Sequence, residues 1–356
     1  MTKMINVRTS VASYPIYINR DLKNDWPEHI KRLLRGNKVA IVTDSNVGPL
    51  YADELKDALK EHEISSEIFT VPAGEKSKSI SNYEALASNL IEYKISRQDM
   101  IVALGGGVVG DLTGFLAATL LRGIDFVQIP TSLLAQIDSS VGGKVAINLP
   151  IGKNLLGSFY HPKAVLIDPN VLLTLDKRVL SDGMAEVIKY ACIKNESFFS
   201  FLEKYDIDSI NEHYEKLIST CCQIKADIVE IDEKEKNERM LLNFGHTFGH
   251  VIESAFNYEV YTHGEAVGLG MLHIVRLGEK LNLTIAGTYD RIKALMLKYN
   301  LPCDYPNMDA DIVKTIINYD KKSLGKKINT IFIKKIGDSF IYPELIENLL
   351  EERPIY

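Results

Sequence analysis

Short apolar runs alternate with amphipathic stretches through the first half of this chain, and that rhythm constrains its fold more than any other feature. Val39–Thr43, Ser66–Val71, Met100–Leu104, Phe126–Ile129 and Ala164–Ile167 read as strands, most of them apolar on both faces. Helical patterns separate the early ones, at residues 51–62 with Leu55 and Leu59 on one face, and at 83–93. Strand–helix alternation of this kind predicts a mostly parallel sheet covered by helices. Beyond Asp168 the texture becomes helical, at 178–194, 197–204, 211–231, 243–256, 264–281 and 288–299, with a short β-like segment at 328–333. The expected fold class is α/β: an N-terminal domain with a mostly parallel Rossmann-like sheet, then a mainly α-helical C-terminal domain. The Asp168-Pro169 step marks the boundary, giving domains 1–168 and 169–356.

Length and charge narrow the function. A chain of 356 residues can hold two domains with a large core. A net charge of -6 argues against general nucleic-acid binding, which needs a basic surplus. The four cysteines form no Cys-x-x-Cys pair and suggest no disulfide framework, which fits a reducing cytoplasm. The N-terminus lacks the apolar core of a signal peptide, and no apolar run is long enough to span a membrane.

Gly105-Gly106-Gly107-Val108-Val109-Gly110 satisfies Gly-x-Gly-x-x-Gly between a strand and a helical pattern. Glycines there permit positive φ and let backbone N–H groups approach a pyrophosphate. At least two strand–helix units precede this turn, whereas a Rossmann fingerprint usually follows the first strand. Two further loops, Asp44-Ser45-Asn46 and Pro72–Lys78 with Glu75, also follow strands of the sheet. Together the three loops favour a dinucleotide site over any one alone. Between Gln128 and Gly157, the charged residues Asp138, Lys144 and Lys153 sit among small and apolar neighbours. Isolated charges in such surroundings tend to be paired or functional, and lysines after glycines suit an anion.

Three of the eight histidines, His246, His250 and His263, fall within 18 positions. His246 and His250 are four apart and share a face if a helix runs through them. The pair suggests two metal ligands, although Thr247 stands where zinc proteases of the His-Glu-x-x-His type carry glutamate. Glu186, Glu253 and Glu265 are candidate carboxylates. A lone histidine is more often a hydrogen-bonded core residue; three clustered with glycines favour chemistry. The charged run Asp232–Arg239 reads, by composition, as solvated surface.

The ordered motifs Gly105–Asp111, Arg122-Gly123, Asp138–Lys144, Gly152–Asn154, Ala185–Lys189, Leu242–His250 and His263–Glu265 resemble the 3-dehydroquinate synthases of the sugar-phosphate cyclase superfamily, over roughly residues 35 to 335. The resemblance implies NAD, one divalent metal ion (zinc or cobalt), a homodimer and an active site in the cleft between the domains. It makes Glu186, His246 and His263 the metal ligands and turns His250 from a ligand into a proton-handling residue near the leaving phosphate. It places Lys144, Asn154, Asn243 and His250 around the phosphate, with Arg122 reaching a phosphate across the dimer. Lys225 and Arg239 take the substrate carboxylate, so Arg239 leaves the solvated reading of its run. Asp138 and Lys189 lie near the ring hydroxyls, and Lys153 lines the same cleft. Asp44, Asn46, Glu75, Lys78, Gly106, Gly107, Val108, Asp111, Thr131 and Ser132, with Lys144 and Lys153, make the NAD contacts. Lys321 or Lys322 adds a further cation.

The implied reaction converts 3-deoxy-D-arabino-heptulosonate 7-phosphate, a sugar-phosphate keto acid, to 3-dehydroquinate and phosphate in the shikimate pathway of aromatic amino-acid biosynthesis. It proceeds by transient oxidation with NAD, β-elimination of phosphate, reduction, ring opening and aldol closure. Rival readings are a sister cyclase acting on a substrate without the carboxylate, a metal-dependent alcohol dehydrogenase of the glycerol dehydrogenase type, and a catalytically dead NAD-binding protein. Lys225, Arg239 and Asn243 together favour a carboxylated substrate over the first rival.

Overall fold

The computed structural model describes residues 3–308, 313 and 327–345. The chain forms two compact units, one of Met1–Leu175 and Glu215–Glu233, the other of Asp176–Tyr214 and Lys234–Tyr356.

The first unit runs β1 (Lys3–Arg8), β2 (Ser13–Ile18), α1 (Trp26–Leu33), β3 (Lys38–Asp44), α2 (Gly48–Glu61), β4 (Ser65–Val71), α3 (Ile80–Glu92), β5 (Met100–Gly105), α4 (Gly107–Thr119), β6 (Asp125–Pro130), β7 (Lys144–Leu149), β8 (Gly152–Phe159) and β9 (Ala164–Ile167). Seven strands form one sheet in the order β1-β2-β9-β6-β5-β3-β4. Only β1 and β2 pair antiparallel; every other pair in this sheet is parallel. Successive side chains of a strand point to opposite faces, and both faces here are apolar. Val39, Ile41, Met100, Val102 and Leu104 pack under α1 and α2, with Trp26, Ile30, Leu55 and Leu59. Ala40, Val42, Ile101 and Ala103 pack under α3 and α4, with Leu86, Leu90, Leu112 and Leu116. The continuous apolar runs therefore reflect burial on two sides.

From β3 the chain steps outward to β4, then returns to place β5 and β6 on the other side of β3. The order thus reverses between β3 and β5, and ligands of open α/β sheets bind outside the carboxyl ends of strands at such a reversal. Asp44 ends β3 and Gly105 ends β5 at that position.

β7 and β8 form a separate antiparallel hairpin, a pairing absent from the strands read in the sequence. Its strands mix lysine, asparagine and glycine with apolar residues and show no clean alternation.

The second unit contains α5 (Lys177–Lys194) and α6 (Glu196–Leu202); α7 (Tyr214–Ile231) then returns to the first unit. α8 (His246–Ala255), α9 (His263–Lys280), α10 (Thr288–Lys298) and the antiparallel pair β10 (Lys327–Lys335) and β11 (Asp338–Leu345) complete the described second unit. The expected break after Asp168 stands short of the division at Leu175, and a single cut cannot express the return of α7. Asp168 is 1% exposed, and its carboxylate accepts from the backbone N–H groups of Asp21 (3.2 Å), Lys23 (3.0 Å) and Asn170 (2.8 Å). A residue knotted into β2–α1 in this way belongs to the packed sheet unit. Among the described residues no helix is long and apolar enough to cross a membrane.

Removing this acceptor orphans three donors, each costing about 1–3 kcal/mol if it stays buried. Asp168→Ala is expected to lower stability by about 2–4 kcal/mol, allowing for partial rehydration. Thermal denaturation checks this; an unchanged midpoint would show that the knot contributes nothing.

Candidate active site

In the second unit, three elements bring donors together. Glu186 lies on α5, His246 opens α8 and His263 opens α9. Their ligand atoms all lie within 4.8 Å of one another. Glu186 Oε1 is 3.4 Å from His246 Nε2 and 3.6 Å from His263 Nε2. The Glu186 carboxylate has no solvent exposure, and Lys189, one turn on, pairs with its other oxygen.

Glycines make this convergence possible. A Cβ on Gly264 would lie 1.9 Å from the Asp182 carbonyl oxygen, and one on Gly270 would lie 2.0 Å from that of Gly245. Gly245 also sits at φ +81°, where a side chain is strained, immediately before α8 begins. Gly249 faces Val267 across the same seam. The glycines flanking His246 are thus what lets α8 lie against α9. At the other contact, Gly264 N–H donates to Asp182 Oδ1 at 2.5 Å, one turn before Glu186. A capping box between Thr262 and Glu265 fixes where α9 starts and so where His263 points.

The imidazoles are oriented from behind. His246 Nδ1 lies 3.2 Å from the Phe244 carbonyl, which can only accept. With a metal held at Nε2, the proton would sit on Nδ1 and donate to this carbonyl. Burial pushes His246 down to about 3, which keeps it neutral. His263 stands between two carboxylates, with Nδ1 3.5 Å from Glu253 Oε2. Burial lowers its pKa, but hydrogen bonds to Glu186 and Glu253 outweigh this and hold it well above the ordinary value. Two imidazole nitrogens and one carboxylate make a three-ligand set of the kind that holds a catalytic divalent metal with positions open to substrate, and the donor set fits such an ion.

The three candidate carboxylates separate by task. Glu186 joins the donors, Glu253 backs His263, and Glu265 closes the capping box and takes a two-armed contact from Arg178 at 2.7 and 2.8 Å. His246 and His250 do share a helical face, with ring centres 5.7 Å apart, but His250 is exposed and outside the donor group. Asn243 donates to Glu235 at 2.7 Å. Arg239 is only 1% exposed and closes the charged run after the wetter residues 234–238.

In the first unit, the loops at the carboxyl ends of the parallel strands collect the expected cofactor residues. Asp44 Oδ1 accepts from the N–H groups of Asn46 (2.8 Å) and Val47 (2.9 Å), folding the loop back on its own carboxylate. The Gly105–Gly110 turn needs its glycines for clearance. None of Gly105, Gly106, Gly107 or Gly110 has positive φ, which corrects the conformational reason offered from sequence. A Cβ on Gly105 would meet Val109 at 2.6 Å, one on Gly107 would meet Ser139 Oγ at 3.0 Å, and one on Gly106 would approach Ser132 Oγ at 3.4 Å. The N-terminus of α4, with Val108 in its first turn, is thereby open to close approach, and Thr131 and Ser132 flank it after β6. This cradle fits a pyrophosphate.

Two of the expected cations in this unit pair with carboxylates. Lys78 is buried and donates to Asp111 Oδ2 at 2.7 Å and Asn154 Oδ1 at 2.5 Å. Burial raises the Asp111 carboxyl although Lys78 opposes the shift. Lys225, from α7, donates to both the carbonyl and the carboxylate of Asp138. Lys144 starts the hairpin opposite Phe159, whereas Lys153 and Asn154 follow its turn. Leu121 and Arg122 both adopt left-handed backbone at φ 51° and 66°, leaving Arg122 exposed. Lys321 and Lys322 lie outside the described residues.

Comparison with known proteins bears on these arrangements. The family model described as 3-dehydroquinate synthase N-terminal matches residues 68–182, and the one described as 3-dehydroquinate synthase C-terminal matches residues 183–323. The chain belongs to the 3-dehydroquinate synthase family. The 3-dehydroquinate synthase of Clostridium botulinum (strain Alaska E43 / Type E3) is 47% identical over 346 residues, covering 97% of this chain and 99% of that one. Among solved structures, a 2-deoxy-scyllo-inosose synthase complexed with carbaglucose-6-phosphate, NAD+ and Co2+ shares the fold, with a TM-score of 0.89 at 24% identity over 98% of each chain. The 2-epi-5-epi-valiolone synthase of Streptomyces hygroscopicus subsp. jinggangensis 5008, with NAD+ and Zn2+ bound, gives a TM-score of 0.87 at 26% identity, over 96% of this chain and 95% of that one. These sister cyclases keep the fold at about half the family identity, so the 3-dehydroquinate synthase reading prevails over them.

Sequence reasoning missed Asn148, whose side chain joins three segments, and Asp182, which positions α9. A polar residue closing the apolar stretch Val145–Ile147 was the available signal for the first; the second left none.

The donor geometry makes a prediction. His246→Ala and His263→Ala are expected to lose divalent metal affinity by about 100-fold or more, while His250→Ala retains it. Metal content after dialysis against a chelator reads this directly. Metal loss in the His250 variant would return that residue to the ligand set.

Proposed function

We propose that this chain converts 3-deoxy-D-arabino-heptulosonate 7-phosphate to 3-dehydroquinate and phosphate, with NAD used and regenerated within each turnover. The observation that carries the reading is the Glu186, His246 and His263 donor cluster in a chain of this family. It is a lyase reaction of the shikimate pathway, leading to chorismate and aromatic amino acids. When bound, NAD supplies a hydride acceptor that later returns the hydride, and zinc or cobalt supplies Lewis acidity toward the substrate hydroxyls.

The chain's own groups bind, orient and move protons. Asp44, Asn46, Glu75, Lys78, Gly106, Gly107, Val108, Asp111, Thr131 and Ser132, with Lys144 and Lys153, hold NAD. Glu186, His246 and His263 hold the metal. Arg239 offers a planar fork suited to the substrate carboxylate, and Lys225 adds a point charge. Lys225 then exchanges its contact with the Asp138 carboxylate for one with substrate, leaving Asp138 to accept from a ring hydroxyl beside Lys189. Lys144, Asn154, Asn243 and His250 surround the phosphate, where exposed His250 holds or delivers the proton. The amide of Asn243 is fixed in advance by Glu235.

The reading also places the protein in the cytoplasm as a homodimer. β8 and its turn expose Ile151 (74%), Leu155 (57%), Leu156 (40%) and Phe159 (42%), apolar side chains on both faces of the strand that support self-association. Arg122, held exposed in strained backbone, then reaches a phosphate across the dimer.

Incubation with the heptulosonate phosphate, catalytic NAD and Zn2+ or Co2+ tests the proposal. Equal amounts of phosphate and dehydroquinate are expected, with no net NADH. Stoichiometric NADH without phosphate release would instead identify a simple dehydrogenase.

A further inference from the structure

The hairpin of β7 and β8 is tied to the loop after β4 through the side chains of Asn148 and Lys78. Asn148 Nδ2 donates to Glu75 Oε1 at 2.7 Å, and Asn148 Oδ1 accepts from Asn154 N–H at 2.8 Å. The backbone N–H of Asn148 donates to the Lys78 carbonyl at 2.8 Å. Lys78 closes the circuit by donating to Asn154 Oδ1 at 2.5 Å while pairing with Asp111 on α4.

Asn154 holds left-handed backbone at φ 57°. That conformation costs free energy for a residue with a side chain, although asparagine tolerates it better than most. The N–H of Asn154 is the atom that Asn148 grips, so the strained turn and the Glu75–Lys78 loop hold one another in place. An amide is suited to this task because it donates to one segment and accepts from another without adding charge. Alanine would make neither contact, and aspartate would keep only the acceptor while setting a carboxylate against Glu75.

We propose that Asn148 is a positioning residue that couples the NAD subsite at Glu75 and Lys78 to the phosphate subsite at Asn154. This rests on the proposed function, which assigns those two subsites. A ligand that orders either segment lowers the ordering cost for the other, so each tightens its partner by the same factor.

The test is a titration of the metal-loaded protein with NADH, followed by its own fluorescence, with and without saturating inorganic phosphate. In the unaltered protein phosphate is expected to tighten NADH by about fivefold or more. In Asn148→Ala the ratio falls to within about twofold, and Asn148→Asp behaves alike, giving a second readout if the alanine variant fails to fold. A merely structural role would weaken NADH in the variants and leave the ratio intact, which overturns the proposal. Equal NADH affinity with and without bound phosphate in the unaltered protein also overturns it. Failure of that protein to bind NADH at all would instead overturn the functional reading beneath it.

Discussion

A carboxylate without solvent has to be matched by charge or by coordination, because an isolated buried ion costs several kcal/mol. Glu186 imposes that condition on the second unit. Lys189 meets one of its oxygens, and two imidazoles converge on the other. To bring them there, α8 and α9 approach at distances only glycine allows, and α9 is pinned to α5 through Asp182. The glycines, the capping box and the backing contacts from Phe244 and Glu253 all serve one geometry. Pre-set ligands reduce what a metal must organise on binding.

The first unit solves a different problem. Parallel strands deliver their loops to one edge, and the reversal between β3 and β5 opens that edge for a ligand. The loops are then locked together by polar contacts rather than apolar packing. Lys78, Asn148 and Asn154 form a closed circuit, and Lys78 ties it to Asp111 on α4, so that three segments distant in sequence are joined. The pairing of Lys225 with Asp138 plays a similar part, keeping two charges compensated.

Much of this was legible in the chain. Apolar periodicity reports burial, so β3 to β6, β9 and the long helices could be read almost to their ends. The hairpin of β7 and β8 could not, since its residues satisfy no single period and its pairing depends on the fold around it. Helical spacing correctly placed His246 and His250 on one face but could not say which one meets Glu186, sixty positions earlier. Only the ordered motifs elsewhere divided their tasks. Asp182 and Asn148 act through contacts across more than one element, and such contacts leave no trace in local pattern. The glycine turn was found for a partly mistaken reason: its residues need room, not unusual dihedrals.

The return of α7 has a consequence for how the molecule is made. Its residues are synthesised after α5 and α6, yet they dock on the first unit, where Ser219 accepts from Lys3 and Glu215 from the Arg20 N–H. Domains emerging from the ribosome generally fold as they appear. The sheet unit also takes in Glu233, whose carboxylate seats against His161 and Ser10. An N-terminal fragment ending at Leu175 would contain every strand of the large sheet and still lack α7, so the first unit is complete only after the chain of α5 and α6 has been made.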